Sequence, residues 1–228
     1  MGGKNAFKIV MNEVYFCANI GYYVSVKGRE RMNRFEELDK IADKNGGVLL
    51  TSVVVAAGIS KPTLADYVKK REYERVGRGV YCSQECWRDE LYLLQLRCPK
   101  TVYSHDTALF LLDMTDREPL KYSVTAKTGY NPSHLSADGV KVFTVKKELF
   151  DLGITEVSTP FGHKVTIYNP ERTLCDIIRS RSEMEIQSVQ DALKRYTHRK
   201  VKNLHRLMEY AKQFHIDKRL NQYLEVLL

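Results

Sequence analysis

Among the side chains that could do chemistry in this chain are three cysteines close together in the sequence. Cys82 and Cys86 are separated by three residues, and Cys98 follows before the next histidine, His105. Three thiolates could bind zinc, but a structural site has four ligands, usually in two closely spaced pairs. Because the second pair is missing, we expect reduced thiols that pack in the core, and no metal.

A metal-dependent nuclease is a second chemistry that the residues leave open. Such a site needs an acid and an acid-x-Lys sequence on adjacent strands, which together hold Mg²⁺ and a water. The predicted strand at 123–127 supplies Lys127 but has Thr125 in place of the acid, while Asp116 and Glu118 lie close upstream. A nuclease with a DNA-targeting module therefore stays as an alternative function.

Other catalytic patterns are weaker. His105 precedes Asp106, as a base and its orienting acid could, but a histidine beside Ser104 is also typical of a helix start. The chain has no glycine-rich phosphate loop that ends in Lys-Ser or Lys-Thr, and no Gly-x-Ser-x-Gly elbow. We therefore predict no catalytic residues, no enzyme activity and no cofactor.

The elements that precede these residues indicate a DNA-binding module. Three short helices are predicted in a row, with Asn33, Thr51 and Ser60 as their N-caps. Asn45-Gly46-Gly47 ends the first helix, and a hairpin at 73–81 follows the third. Gly77 and Gly79 are expected to supply the positive φ angles of this hairpin. This order of elements is that of a winged helix-turn-helix.

The third helix of such a module enters the major groove, so its outward face should be polar or basic. At 100° per residue, Leu64, Ala65 and Val68 fall on the inward face. Seven residues are expected to contact the bases or the phosphates of DNA from the third helix and the wing. They are Ser60, Lys61, Thr63, Tyr67, Lys70, Arg75 and Arg78. The same geometry also serves protein-interaction modules, which remain a further alternative.

Beyond residue 83, strand patterns alternate with helical ones and the last 45 or so residues are helical. We predict an α+β fold: an N-terminal winged helix-turn-helix followed by a mixed α/β domain with a helical C-terminal part. The expected boundaries are an extension at 1–31, the DNA-binding domain at 32–83 and a second domain at 84–228. Met32 could be the natural start, or residues 1–31 could form an arm packed on the body.

Composition and charge favour an anionic partner and argue against a membrane. The chain has 36 basic against 28 acidic residues and 43% hydrophobic residues, so it can bury a core and is attracted to anions. Residues 32–81 contribute nine basic and seven acidic residues, whereas 191–219 contribute nine and three. No apolar run reaches the roughly 18–20 residues that a membrane helix needs. We expect a soluble cytoplasmic protein with no membrane partner.

Three stretches resemble the AbiEi antitoxins of type IV toxin–antitoxin systems, which act in bacterial abortive infection and phage defence. They are the wing sequence Glu74-Arg-Val-Gly-Arg-Gly-Val-Tyr81, the stretch Tyr103-Ser-His-Asp-Thr-Ala-Leu109, and the stretch Tyr168-Asn-Pro-Glu-Arg-Thr-Leu-Cys-Asp176. The resemblance covers about 32–228, and residues 1–31 fall outside it.

The resemblance implies a protein with two roles. The winged helix would bind double-stranded DNA at inverted repeats in its own promoter and repress the operon. The second domain would neutralise a nucleotidyltransferase-like toxin encoded in that operon, without a stable complex. From the basic run near the C-terminus, the residues assigned to the antitoxic or second anionic contact are Lys194, Arg195, Arg199, Lys200 and Lys202.

Arg172 and Asp176 are four residues apart on the helix that Asn169 is expected to cap. One interpretation is an ion pair within the helix, worth a few tenths of a kcal/mol. The other, from the resemblance, is a signature of the second domain. We favour a structural role in which Glu171, Arg172 and Asp176 bridge the helix to the sheet.

Overall fold

The computed structural model describes residues 26–86 and 88–227. Within them the chain forms an α+β fold with eleven α-helices and two sheets. The smaller sheet belongs to the N-terminal module and the larger one to the rest of the chain. In the part of the chain that is described, no helix has both the length and the apolar character needed to cross a membrane.

The N-terminal module is a winged helix-turn-helix. Its elements in chain order are α1 (Val26–Lys44), β1 (Val48–Leu50), α2 (Thr51–Ala56), α3 (Lys61–Lys70), β2 (Glu74–Gly77) and β3 (Val80–Cys82). The three strands form an antiparallel sheet in the order β1-β3-β2, so β1 closes the hairpin onto the helices. Leu38, Val54, Leu64 and Tyr67 form a buried core between the three helices.

The structure corrects three local predictions in this module. Helix α1 begins at Val26 and runs through Asn33, which is exposed and caps nothing. Thr51 is not the N-cap of α2 but its first residue. The N-cap is Leu50, because Val48–Leu50 forms strand β1 and the helix follows it directly. Of the two hairpin glycines, only Gly79 has a positive φ, of 75°. The predicted boundary between 31 and 32 falls inside α1.

The second part of the chain combines a mixed sheet with a helical end. Its elements are α4 (Glu90–Arg97), β4 (Val102–Tyr103), α5 (His105–Leu111), β5 (Ser123–Lys127), α6 (Ser133–Ala137), β6 (Lys141–Val145), α7 (Lys147–Phe150), β7 (Ile154–Ser158), β8 (Lys164–Tyr168), α8 (Pro170–Arg179), a 3₁₀ turn (Arg181–Glu183), α9 (Ile186–His198), α10 (Leu204–Gln213) and α11 (Asp217–Leu227). The sheet order is β6-β5-β4-β8-β7, in which β4 runs parallel to β8 and β5 parallel to β6.

Side-chain caps decide where two of these helices start. Helix α4 begins at Glu90, because the Asp89 carboxylate accepts from the Tyr92 backbone N–H at 3.1 Å. Helix α8 begins where predicted, with the Asn169 side chain accepting from the Arg172 N–H at 2.9 Å. The same carboxylate of Asp89 also accepts from Thr159 and His163 on the β7–β8 connection, which joins α4 to the sheet edge.

Helix α8 is the centre of the second part. All eight residues from Glu171 to Ile178 are buried, since the helix lies among α5, α9, α10 and α11. Arg172 is fully buried, and its Nε donates to the Asp176 carboxylate at 3.0 Å. The ion pair within the helix is thus confirmed, but neither side chain has any exposed area, so the few tenths of a kcal/mol typical of an exposed pair do not apply.

The Arg172 guanidinium has partners on several elements. Its Nη1 donates to the carbonyls of Leu149 and Leu152, each at 2.7 Å, and the group lies 4.0 Å from the ring centroid of Tyr168 and 4.5 Å from that of Phe214. Gly153 follows with a φ of 78°, and a Cβ there would lie 2.7 Å from the Arg172 Cβ. Arg172 thus holds the α7–β7 turn, strand β8 and helix α10 to one helix.

We predict that Arg172→Met lowers the free energy of unfolding by about 3–5 kcal/mol, because it leaves the buried Asp176 carboxylate with only the longer contact to Arg179, at 3.7 Å. Urea denaturation followed by circular dichroism measures this. The matched control is Arg117→Met, which breaks an exposed pair with Glu185 and should cost no more than about 1 kcal/mol. Arg172→Met/Asp176→Leu should recover part of the loss. Equal costs for the two single variants would contradict the assigned role of Arg172.

Candidate nucleic-acid interface

The start of α3 combines a capped helix N-terminus with an exposed lysine. Ser60 is its N-cap: the Ser60 Oγ accepts from the Thr63 backbone N–H at 3.3 Å and lies 2.8 Å from the Thr63 hydroxyl. Lys61 and Pro62 are exposed in the first turn, where proline costs no hydrogen bond. The helix dipole places partial positive charge here, and Lys61 adds a full charge.

The exposed face of α3 differs from the predicted one at Tyr67. Tyr67 is almost fully buried, and its hydroxyl donates to the Asp39 carboxylate of α1 at 2.6 Å. Burial, and next this bond to Asp39, raise the pKa of the Tyr67 hydroxyl well above its usual range. Tyr67 is therefore a core residue that ties α3 to α1, and its assignment as a DNA contact is wrong.

Helical spacing contained the signal for this correction. Tyr67 follows the buried Leu64 by three residues, which puts the two on one stripe of the helix. Ala65, expected to face inward, is exposed instead, and so is Lys69. Lys70 is exposed as predicted, with its ammonium 5.4 Å from the ring centroid of Phe35.

The wing presents the two predicted arginines on the surface. Arg75 is exposed on β2 and its Nε donates to the Gly77 carbonyl at 3.2 Å, so part of its donor capacity is used within the hairpin. Arg78 lies on the turn between β2 and β3. It is exposed and has no carboxylate within 4.0 Å among residues 26–86 and 88–227. Gly79 lets this turn form, because its φ of 75° is rare for other residues.

The wing is not free of the rest of the chain. A Cβ on Gly77 would lie 2.5 Å from the Cγ of Arg97, so the Arg97 side chain packs directly on the wing backbone. Arg97 then forms an ion pair with Asp138, which follows α6. A second ion pair joins Arg88 to Glu74 on β2. The position of the wing therefore depends on the second part of the chain.

The basic C-terminal residues divide into two kinds. Lys194 and Lys200 are exposed, without an ion pair in the part of the chain that is described. Arg195, Arg199 and Lys202 have partners instead: Arg195 binds the Asp116 carboxylate, Arg199 donates to the Leu112 carbonyl at 2.8 Å, and Lys202 donates to the Thr197 carbonyl. Of these charges, that of Arg195 is paired with an acid 79 residues away, whereas Arg199 and Lys202 use donors on backbone carbonyls.

The residues considered for catalysis lie in structural settings. His105 is fully buried between the hydroxyls of Ser104 and Ser180, and its ring stacks on Phe143 at a centroid distance of 3.4 Å. Burial, and next the charge of Arg179, lower its pKa well below the usual value. Thr125, where a nuclease would have its acid, is buried and donates to the Ser104 hydroxyl at 2.8 Å.

The cysteines and acids give no metal centre in the part of the chain that the structure describes, where no group of three or more suitable side chains comes together. Cys82, Cys98 and Cys175 are buried and Cys86 is partly so, whereas Cys17 lies outside the described residues. Burial raises the pKa of Cys82 to about 12. The Cys98 Sγ lies 3.5 Å from the Nε2 of His134.

Comparison with known proteins supports the assignment of the N-terminal module. Residues 36–84 match the family described as "Transcriptional regulator, AbiEi antitoxin". No curated protein sequence matches the chain significantly. A crystal structure of the RV2827C protein from Mycobacterium tuberculosis aligns over 86% of this chain and 81% of its own, with 13% identity and a TM-score of 0.47.

We predict that Tyr67→Phe lowers the free energy of unfolding by about 1–2 kcal/mol, because it removes the hydrogen bond to the Asp39 carboxylate. Its affinity for a DNA fragment from upstream of its own gene should equal that of the wild type below the melting transition. Thermal denaturation and fluorescence anisotropy measure the two effects. Tyr223→Phe is the control, since the half-buried Tyr223 hydroxyl has no partner within residues 26–86 and 88–227. Weaker DNA binding by folded Tyr67→Phe would restore Tyr67 as a DNA contact.

Proposed function

We propose that this protein represses its own operon by binding inverted repeats in the promoter, a proposal supported by the match of residues 36–84 to the family described as "Transcriptional regulator, AbiEi antitoxin". We propose further that residues 84–228 neutralise a nucleotidyltransferase-like toxin encoded in that operon, without a stable complex. The observation that carries the first proposal is the free cation at the tip of the wing, Arg78, in a module whose third helix exposes a basic N-terminal end.

The proposed DNA contacts come from three sites on the module. Lys61 binds a phosphate at the start of α3 through its ammonium and its backbone N–H, since Pro62 has no N–H and those of Thr63 and Leu64 donate to Ser60. Thr63, Lys69 and Lys70 face the groove or its backbone along the same helix. Arg75 and Arg78 bind phosphates from the wing. Phosphate contacts dominate this set, so the affinity for DNA should depend strongly on salt concentration. Only a few side chains are then left to distinguish one DNA sequence from another.

We predict that Arg78→Ala weakens binding to the promoter fragment and lowers the slope of log K against log salt concentration by about one, because one phosphate contact is lost. Fluorescence anisotropy with labelled promoter DNA at several salt concentrations gives both values. Lys147→Ala is the control: it removes the same charge from exposed α7, outside the module, and should leave the slope unchanged. An unchanged slope in Arg78→Ala would exclude a phosphate contact by the wing.

The proposed antitoxic surface depends on exposed charge in the C-terminal helices. Lys194 on α9 and Lys200 after it are the members of the basic run that remain available for an anionic partner. Arg195, Arg199 and Lys202 contribute by holding the surface in place, since each binds another part of the chain or the end of α9. A charged, solvated surface of this kind suits the transient contact that neutralisation without a stable complex requires.

We predict that Lys194→Glu/Lys200→Glu abolishes the rescue of cells that express the neighbouring toxin, while promoter binding by the winged helix is retained. Colony counts after toxin induction measure rescue, and anisotropy measures DNA binding. The matched control, Lys121→Glu/Lys147→Glu, makes the same change in net charge on exposed residues elsewhere and should rescue as the wild type does. Full rescue by the first double variant would move the antitoxic contact away from this surface.

A further inference from the structure

A cleft of about 590 Å³ lies between the wing and the second part of the chain. On one side are the wing residues 76–78, and on the other are residues 97–100 at the end of α4. Tyr130, His134 and Asp138, on and around α6, complete its wall. A volume of this size falls within the roughly 300–1,000 Å³ that is typical of small-molecule sites.

The lining of the cleft carries an excess of positive charge. Arg78, Arg97 and Lys100 all line it, whereas Asp138 is the one acid in the lining. The Asp138 carboxylate is already paired with Arg97. Arg78 and Lys100 come from opposite sides of the cleft, and both are exposed with no carboxylate partner in the described part of the chain. Two unpaired cations that face one space favour an anion with more than one charge.

The walls of the cleft are held together by contacts between the two parts of the chain. The Arg97 side chain packs on the Gly77 backbone, and its ion pair with Asp138 fixes the guanidinium across the cleft. The buried Cys98 contacts His134, with 3.5 Å between Sγ and Nε2. A preformed cleft with an oriented guanidinium binds an anion at lower entropic cost than flexible surface lysines do.

The aromatic side chains of the cleft indicate that its ligand carries a flat ring as well as negative charge. The rings of Tyr130 and His134 lie next to each other at a centroid distance of 6.1 Å, and the Tyr130 hydroxyl lies 3.4 Å from the His134 Nε2. Tyr130 is partly buried and His134 is exposed, so both offer surface to a flat ring. Stacking of a base on such side chains is sequence-tolerant and favourable. Inorganic phosphate alone would leave most of the volume empty.

We propose that this cleft is a binding site for a nucleotide. The phosphates bind between Arg78 of the wing and Lys100, with Arg97 beside them, and the base contacts Tyr130 and His134. A consequence rests on the proposed DNA-binding function: because Arg78 is shared, a bound nucleotide and promoter DNA compete for the wing. Nucleotide concentration would then set the strength of repression.

The site is tested by isothermal titration calorimetry of the full chain with ATP and, separately, with inorganic pyrophosphate in EDTA. We expect saturable one-to-one binding of ATP, weaker binding of pyrophosphate, and an ATP affinity that is lower by roughly tenfold or more in Lys100→Glu. Lys147→Glu is the control for net charge and should bind ATP as the wild type does. Arg78→Ala is a second variant on the other wall and should also bind ATP less tightly.

Four results would overturn the site. Three of them concern ligand affinity: no saturable binding of ATP, an equal loss of affinity in Lys100→Glu and Lys147→Glu, or ATP and pyrophosphate binding with the same affinity. The last would mean that the cleft attracts anions without recognising a nucleoside. Lys100→Glu must have the melting temperature of the wild type, as expected for an exposed residue. If Lys100→Glu weakened promoter binding as much as Arg78→Ala does, the cleft would belong to the DNA surface and the nucleotide site would be excluded.

Competition is tested separately from the site. ATP should displace labelled promoter DNA from the wild type, whereas Lys100→Glu should bind the DNA and resist displacement. A protein that binds ATP but no promoter DNA would contradict the proposed function and leave the nucleotide site in place. A protein that binds promoter DNA but does not bind ATP would contradict the nucleotide site and leave the proposed function in place.

Discussion

The guanidinium of Arg172 is fully buried, and charges are costly to bury unless each is paired and hydrogen-bonded. The second part of the chain meets most of that requirement, although the Nη2 of Arg172 and the Oδ1 of Asp176 have no hydrogen-bond partner within the described residues. Asp176 supplies the counter-charge from the same helix, the α7–β7 turn supplies two carbonyls, and Tyr168 and Phe214 cover the group with aromatic rings. Glu171, the preceding residue, accepts from Tyr196 and so ties the same helix to α9. Elements from sequence positions 149 to 214 are thereby fixed to one helix.

A similar linkage connects the DNA-binding module to this second part. Asp89 joins the start of α4 to the β7–β8 connection, and Arg97 joins the end of α4 to both the wing and the residue after α6. Helix α4 is therefore fixed at both ends by polar contacts, and it connects the wing to the rest of the second part. Because the wing backbone packs against the Arg97 side chain at the end of α4, a ligand that binds beside Arg97 can change the position of the wing.

The sequence predicted best those features that short-range chemistry determines. Ser60 and Asn169 cap the helices that they were expected to cap, because the cap is a hydrogen bond to an amide three residues away. Turn residues also mark both ends of strands β7 and β8. Strand β1 was missed, because three residues carry too little pattern and the strand exists only through pairing with β3.

The sequence by itself determined the order of elements in the winged helix, the family resemblance and the position of the basic run. Only the tertiary structure decided which charged and polar groups are available to a partner. Asp116 meets Arg195 from 79 residues away, and the Leu112 carbonyl meets Arg199 from 87 residues away. Tyr67 is withdrawn from the DNA surface by Asp39, 28 residues upstream. The physical reason is that a side chain's partners are set by folding distant segments together, and no local spacing encodes those contacts.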